Sequence, residues 1–113
     1  FINENQTMKQ AIKIINLKKL GFLVIKNSEG RTRGVFTDGD LKRLMRKKNK
    51  IENLKIKNFM SKKPFSVEEN TLASDVLLQM NKRKITNVCV FNKKNKDKTI
   101  GVLHIHDLIN NLR

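Results

Sequence analysis

Between Thr7 and Leu20 the apolar residues Met8, Ala11, Ile12, Ile15 and Leu20 recur at three-to-four spacing, with lysines opposite them. That period gathers them into one stripe of a helix. Thr7 suits the N-cap, because its hydroxyl can accept an otherwise unpaired amide of the first turn. Gly21 ends the pattern with a residue that tolerates left-handed backbone. FLVIK (22–26) reads as an apolar strand, NSEG as a polar turn and RTRGVF (31–36) as the returning strand. DGDLKRLMRKK then opens a second helix with acidic residues in its first turn, where the helix dipole favours them.

The second half repeats that order. TLASDVLLQMNKRK is helical, ITNVCVF a strand, NKKNKDK a polar turn, TIGVLHI a strand and HDLINNL a helix. Ile15 matches Met80 and Leu20 matches Ile85, both 65 apart; Gly34 matches Gly101 and Asp40 matches Asp107, both 67 apart. The two extra residues fall inside NKKNKDK, where insertion is best tolerated. FSV (65–67) supplies a short strand before the second unit, and FIN at the start is its counterpart. The pattern predicts an α/β (α+β) fold of two helix–strand–strand–helix repeats. Each repeat exposes an apolar sheet face, so the sheets should pack face to face with pseudo-twofold symmetry. The expected division is 1–49 for the first repeat, 50–59 for a linker and 60–113 for the second. No counterpart of NFMSKKP precedes Phe1, so the first repeat reads as truncated at its N-terminus.

Composition narrows the function. At 113 residues and 38% hydrophobic the chain can bury a core, though halves of that size should lean on each other. No apolar run approaches a membrane span and no signal peptide is visible, so no membrane partner is expected. One cysteine, Cys89, inside NVCVF, reads as a buried thiol, and its lack of a disulfide partner fits a cytoplasmic setting. The net charge of +15 raises the possibility of nucleic acid. Lysine supplies 19 of the 25 positive charges, however, and all the aromatics are Phe. Bidentate arginine contacts and stacking platforms are therefore scarce, and no specific nucleic-acid partner is expected.

The duplicated order, MSKKPFSV at 60–67 and the shared ending of GVFTDGDL (34–41) and GVLHIHDL (101–108) resemble a tandem pair of cystathionine-β-synthase (CBS) domains, a Bateman module. The resemblance covers the whole chain. It implies a cleft between the halves that binds nucleotides or their derivatives and regulates an attached enzyme or transporter. It also implies self-association of two modules through their helices. GVFTDGDLKR, KITNVCVF and GVLHIHDL together are similar to the C-terminal CBS pair of arabinose-5-phosphate isomerases, and HIHDL favours that match over the CBS pairs of sugar-nucleotide transferases. Those isomerases interconvert ribulose 5-phosphate and arabinose 5-phosphate in an N-terminal sugar-isomerase (SIS) domain, on the route to the octulosonate of lipopolysaccharide. These residues would then be a regulatory tail, not an enzyme, and no cofactor would be required. The implied effector is a nucleotide-containing anion, either the cytidine-monophosphate ester of the octulosonate or an adenine nucleotide.

The candidate ligand-binding residues cluster at two strand-to-helix junctions. Thr37 sits at the helix mouth, where its hydroxyl and neighbouring amides can meet a phosphate. Gly39 lets backbone approach closely. Asp40 on the first turn can accept hydrogen bonds from both hydroxyls of a ribose, and CBS sites are known for this Thr and Asp pair. Asp38 and Arg43 complete the first set, Arg43 as a partner for phosphate or carboxylate one turn on. The structural alternative is that Thr37 caps the helix and the two aspartates merely complement its dipole. In the second repeat His104 replaces Thr37, Asp107 matches Asp40, and His106 lies between them, so the two sites should not be equivalent. His-x-His straddling a junction does not converge as metal ligands must, so no metal is expected. No nucleophile–base pair is present, so no catalytic residue is expected. Beside the sensing module stand two other classes of function: a basic nucleic-acid binder and a purely structural dimerisation module.

Overall fold

The structure, a computed structural model, describes residues 1–18 and 21–111. Leu20, counted above in the first apolar stripe and matched to Ile85, lies outside the described residues, as does Leu112 at the end of the last predicted helix. The chain forms two compact units, Phe1–Lys63 and Pro64–Arg113.

In the first unit β1 (Ile2–Asn3) pairs in parallel with β2 (Phe22–Lys26), which pairs antiparallel with β3 (Thr32–Thr37). Helix α1 (Met8–Lys18) connects β1 to β2, and α2 (Asp38–Lys47) follows β3 without a loop. Thr7 starts α1 through a reciprocal pair: its amide donates to Gln10 Oε1 at 3.0 Å, and the Gln10 amide donates to its Oγ1 at 3.4 Å. Gly21 adopts φ of 63°, the left-handed backbone its place after the helix called for. Met8, Ala11 and Ile15 from α1 are buried with Leu23, Ile25 and Phe36 from the sheet and Leu41 and Leu44 from α2. Fully burying a side chain of this size contributes about 1.5–3 kcal/mol, so a few of them decide where each helix lies.

The stretch expected to be a linker is packed into this unit. Ile51 and Ile56 are 5% and 0% exposed and belong to the same core. Backbone hydrogen bonds tie it down: Met8 N to Leu54 O at 2.7 Å and Ile56 N to Gln6 O at 2.9 Å. After a single 3-10 turn (Ile56–Asn58) the chain meets β3, where Val35 and Ser61 exchange hydrogen bonds of 3.0 and 2.8 Å. The compact boundary thus falls at Lys63/Pro64, with Met60 and Ser61 on the first unit's side. Ile51, Leu54 and Ile56 among polar residues look like a tether in sequence, yet the two isoleucines fill core space and Leu54 packs against it.

The second unit repeats the plan. β4 (Ser66–Glu68) lies parallel to β5 (Asn87–Asn92), which pairs antiparallel with β6 (Asn95–His104). Helix α3 (Ala73–Arg83) connects β4 to β5, and α4 (Ile105–Asn111) follows β6. Val76, Met80, Val88 and Leu108 form its core. Lys84 ends α3 in the left-handed conformation (φ 56°), and Ile85 N reaches back to Met80 O at 3.1 Å. Strand β6 starts at Asn95, within the polar run read as a turn, because the exposed arm of a hairpin has nothing apolar to bury.

Candidate functional site

The junction of β3 and α2 brings Thr37, Asp40 and Arg43 together. Thr37 is the N-cap, in extended conformation, and Asp40 stands three residues on. Asp40 N donates to Thr37 Oγ1 at 3.1 Å, and Thr37 N donates to Asp40 Oδ2 at 2.9 Å. This closed box satisfies two amides that would otherwise lack partners. The other Asp40 oxygen, Oδ1, accepts from Arg43 Nη2, so carboxylate and guanidinium stand as a pair one turn apart. The capping role weighed in the sequence is therefore real.

Capping does not exhaust the carboxylate. Each ionised oxygen offers about two acceptor positions, and Asp40 uses one on each, leaving one on each for an incoming hydroxyl. The Thr37 hydroxyl, used here as an acceptor, keeps its own hydrogen to donate. Asp38 points elsewhere: it pairs with Lys42 at 3.3 Å on the exposed side of the helix. A methyl added at Gly39 would lie 3.5 Å from the Arg43 guanidinium and 3.7 Å from Thr37 Oγ1, in ordinary contact with both groups and filling the space between them. Asp40 and Arg43 also line a cavity of about 330 Å³ with Phe36, Leu44, Lys47, Lys48 and Phe59. Phe59 was not among the expected residues. It comes from the supposed linker and only the tertiary fold brings it to α2.

At the matching junction of β6 and α4 the hydrogen bonds are spread over three residues and do not close the same reciprocal box. His104 N donates to Asp107 Oδ2 at 3.4 Å, and His106 N donates to His104 Nδ1 at 3.1 Å. The two imidazoles stack, with centroids 4.9 Å apart. Among the described residues no guanidinium pairs with Asp107; Asn110 stands where the first repeat has Arg43. Among the described residues no three His, Cys, Asp or Glu side chains converge to hold a metal ion, and no helix is long and apolar enough to cross a membrane. Cys89 lies buried in β5, and burial pushes its thiol from 9.0 up to about 11, partly offset by a hydrogen bond with Thr99.

The CBS-domain family profile matches residues 1–47 and 56–113, one match for each repeat. The chain belongs to the CBS-domain family. The pair is 36% identical over 108 residues to an arabinose 5-phosphate isomerase, KdsD, of Salmonella typhi, covering 96% of this chain and 32% of that protein. The chain thus spans about a third of the length of the curated relatives it matches. Among solved structures, the CBS pair of protein MJ0100 in complex with 5′-methylthioadenosine and S-adenosyl-L-methionine superposes with a TM-score of 0.82 at 22% identity, covering 98% of this chain and 87% of that one. CBSX2 in complex with AMP superposes with a TM-score of 0.79 at 19% identity, covering 98% and 84%. These structures share the fold of this CBS pair.

Proposed function

We propose that this CBS pair is a regulatory module that binds an adenine nucleotide at the start of α2, in the chain of an arabinose-5-phosphate isomerase. The observation that carries the binding site is the Asp40 carboxylate. It is fixed by the box to Thr37 and by Arg43, yet keeps one open acceptor position on each oxygen for the two hydroxyls of a ribose. Thr37 and Arg43 supply donors for phosphate, while Asp38, turned to Lys42, takes no part. His104, His106 and Asp107 form the corresponding, non-equivalent set in the second repeat. The adenine preference is supported by the AMP and methylthioadenosine held in two structures of the same fold. The cytidine-monophosphate ester of the octulosonate, expected from the pathway, has no such support and becomes one of the compounds to test.

The parent activity is supported by the identity to KdsD along nearly the whole chain. In this reading an SIS domain N-terminal to the pair carries out the isomerisation, in the cytoplasm, and the pair itself is not catalytic. Exposed Leu72, Leu78 and Ile109 beside and on α3 and α4 support self-association through the helices.

Calorimetric titration of AMP into the 113-residue chain tests the site. Wild type should bind, and Asp40→Ala should lose roughly 2–4 kcal/mol of binding, from two hydrogen bonds to a charged acceptor. Asp107→Ala should lose less. Equal binding by wild type and Asp40→Ala would place the nucleotide elsewhere. The parent reading is tested by the isomerase rate of the full-length chain with and without nucleotide.

A further inference from the structure

The cavity beside α2 holds more positive charge than capping or ribose recognition requires. Asp40, Arg43, Leu44 and Lys47 fall on one face of the helix; Lys48 and Phe59 close it, and Phe36 lies beneath. The Lys48 ammonium stands 5.4 Å from the centre of the Phe59 ring. Arg43 is occupied by Asp40, but neither Lys47 nor Lys48 makes an ion pair among the described residues. Like charges gathered over an apolar floor repel one another, and an anion placed among them removes that penalty. The helix dipole favours a cation in the last turn by about 0.3–1 kcal/mol, which accounts for Lys47 but not for the apolar recess beneath it.

The second repeat serves as an internal control. It starts its helix at the matching place, with the His104 amide donating to Asp107, yet has Ile109 and Asn110 where α2 has Lys42 and Arg43. The repeat's fold therefore does not call for a lysine or an arginine at the places of Lys42 and Arg43. Asp40 to Lys47 is seven residues of helix, about 10 Å at 1.5 Å per residue. The volume of about 330 Å³ is within the range of small-molecule sites.

We infer that this cavity takes the anionic part of the ligand whose hydroxyls Asp40 reads. The ligand then carries negative charge about 10 Å from its hydroxyl-bearing ring. A nucleoside di- or triphosphate has this chemistry, and so does a nucleotide-linked sugar acid. The inference rests on the nucleotide-binding reading above, and adds that Lys47 and Lys48 discriminate between ligands by charge.

The test is a titration of the 113-residue chain with AMP, ADP, ATP, CMP and a cytidine-monophosphate-linked sugar acid. At least one of the more highly charged compounds should bind tenfold or more above its parent monophosphate, equivalent to about 1.4 kcal/mol. A gain in the adenine series identifies phosphate as the source of charge, and a gain with the sugar acid identifies carboxylate. The double variant Lys47→Gln/Lys48→Gln should reduce that ratio to near one. Lys93→Gln/Lys94→Gln, which removes the same charge from the β5–β6 turn, should leave it intact. A ratio unchanged in the first double variant, lost equally in both, or absent from wild type overturns this inference and leaves the nucleotide site standing. No binding of any compound by wild type overturns the nucleotide site itself.

Discussion

Gly34 and Gly101 occupy equivalent places in the two repeats, yet adding one methyl group should affect them very differently. A Cβ on Gly34 would stand 2.6 Å from the backbone oxygen of Ser61 and 3.0 Å from Met60 Cγ and Sδ; a Cβ on Gly101 would meet nothing within 4 Å. Restoring an ordinary 3.4 Å contact at Gly34 means moving the Ser61 backbone by about 0.8 Å. That displacement would stretch the two Val35–Ser61 hydrogen bonds, now 3.0 and 2.8 Å, beyond useful length. Two such bonds contribute about 0.5–1.5 kcal/mol each, and overpacking adds about 1–3 kcal/mol where relief is incomplete. Gly34→Ala should therefore destabilise the chain by about 2–4 kcal/mol and lower Tm by on the order of 10 °C. Gly101→Ala should be neutral or stabilising by up to about 1 kcal/mol, through the reduced freedom of the unfolded chain. Adding Met60→Ala should not rescue Gly34→Ala, because the tightest contact is with backbone. Urea denaturation and calorimetry of the four proteins measure all of this. Equal losses from the two alanines, or a loss below about 1 kcal/mol at Gly34, would refute the docking of the 59–61 segment on β3.

Four further outcomes follow from the same geometry. Asp40→Ala should destabilise the unliganded chain by about 1–2 kcal/mol through loss of the box and the Arg43 pair; Asp40→Asn, whose amide oxygen can still cap, should lose less than half of that by urea denaturation. Gly39→Ala should leave stability unchanged or raised by up to about 1 kcal/mol, as alanine favours helix, while weakening nucleotide binding, because the methyl enters the space between Arg43 and Thr37. Lys84→Gly should stabilise by about 0.5–1 kcal/mol by relieving left-handed backbone at the end of α3, detectable as a raised Tm. Cys89 stays protonated in the fold up to about pH 11, whereas the unfolded chain loses that proton near 9.0. Folded protein thus binds more protons in this window, and stability should fall as pH rises from 9 to 11, by roughly 2–3 kcal/mol relative to Cys89→Ala. A difference that grows with pH in the opposite sense would contradict burial of the thiol.

Much of this fold is legible in sequence because its elements carry their periods openly. FLVIK is a strand with the bounds its apolar run shows, and the Met8–Ala11–Ile15 stripe is buried as its spacing requires. Thr37 and Asp40 are legible for the same reason that they are ambiguous. A side-chain oxygen three residues from a carboxylate is what a helix start needs, and also what a sugar and phosphate need. What escaped was tertiary. Ile51 and Ile56 lie in a lysine- and asparagine-rich stretch whose few apolar residues follow no helix or strand period, and nothing local reveals that both reach the first unit's core. Phe59 joins the α2 cavity only through that return of the chain. The early start of β6 escaped because pairing there is made by backbone, while its side chains remain polar and exposed.

The two helix starts perform one backbone task with different leftovers. At Thr37 the group that accepts the amide is also the group that retains a hydrogen, so its remaining donor lies beside the helix mouth. At His104 the acceptor is Nδ1, which leaves the ring proton on Nε2, across the width of an imidazole. A duplicated fold with identical ends would have no direction. Here the spare hydrogen sits on a hydroxyl beside a basic wall in one repeat and on a stacked imidazole in the other. The duplication has thereby produced two different helix mouths, and a molecule suited to one is not thereby suited to the other.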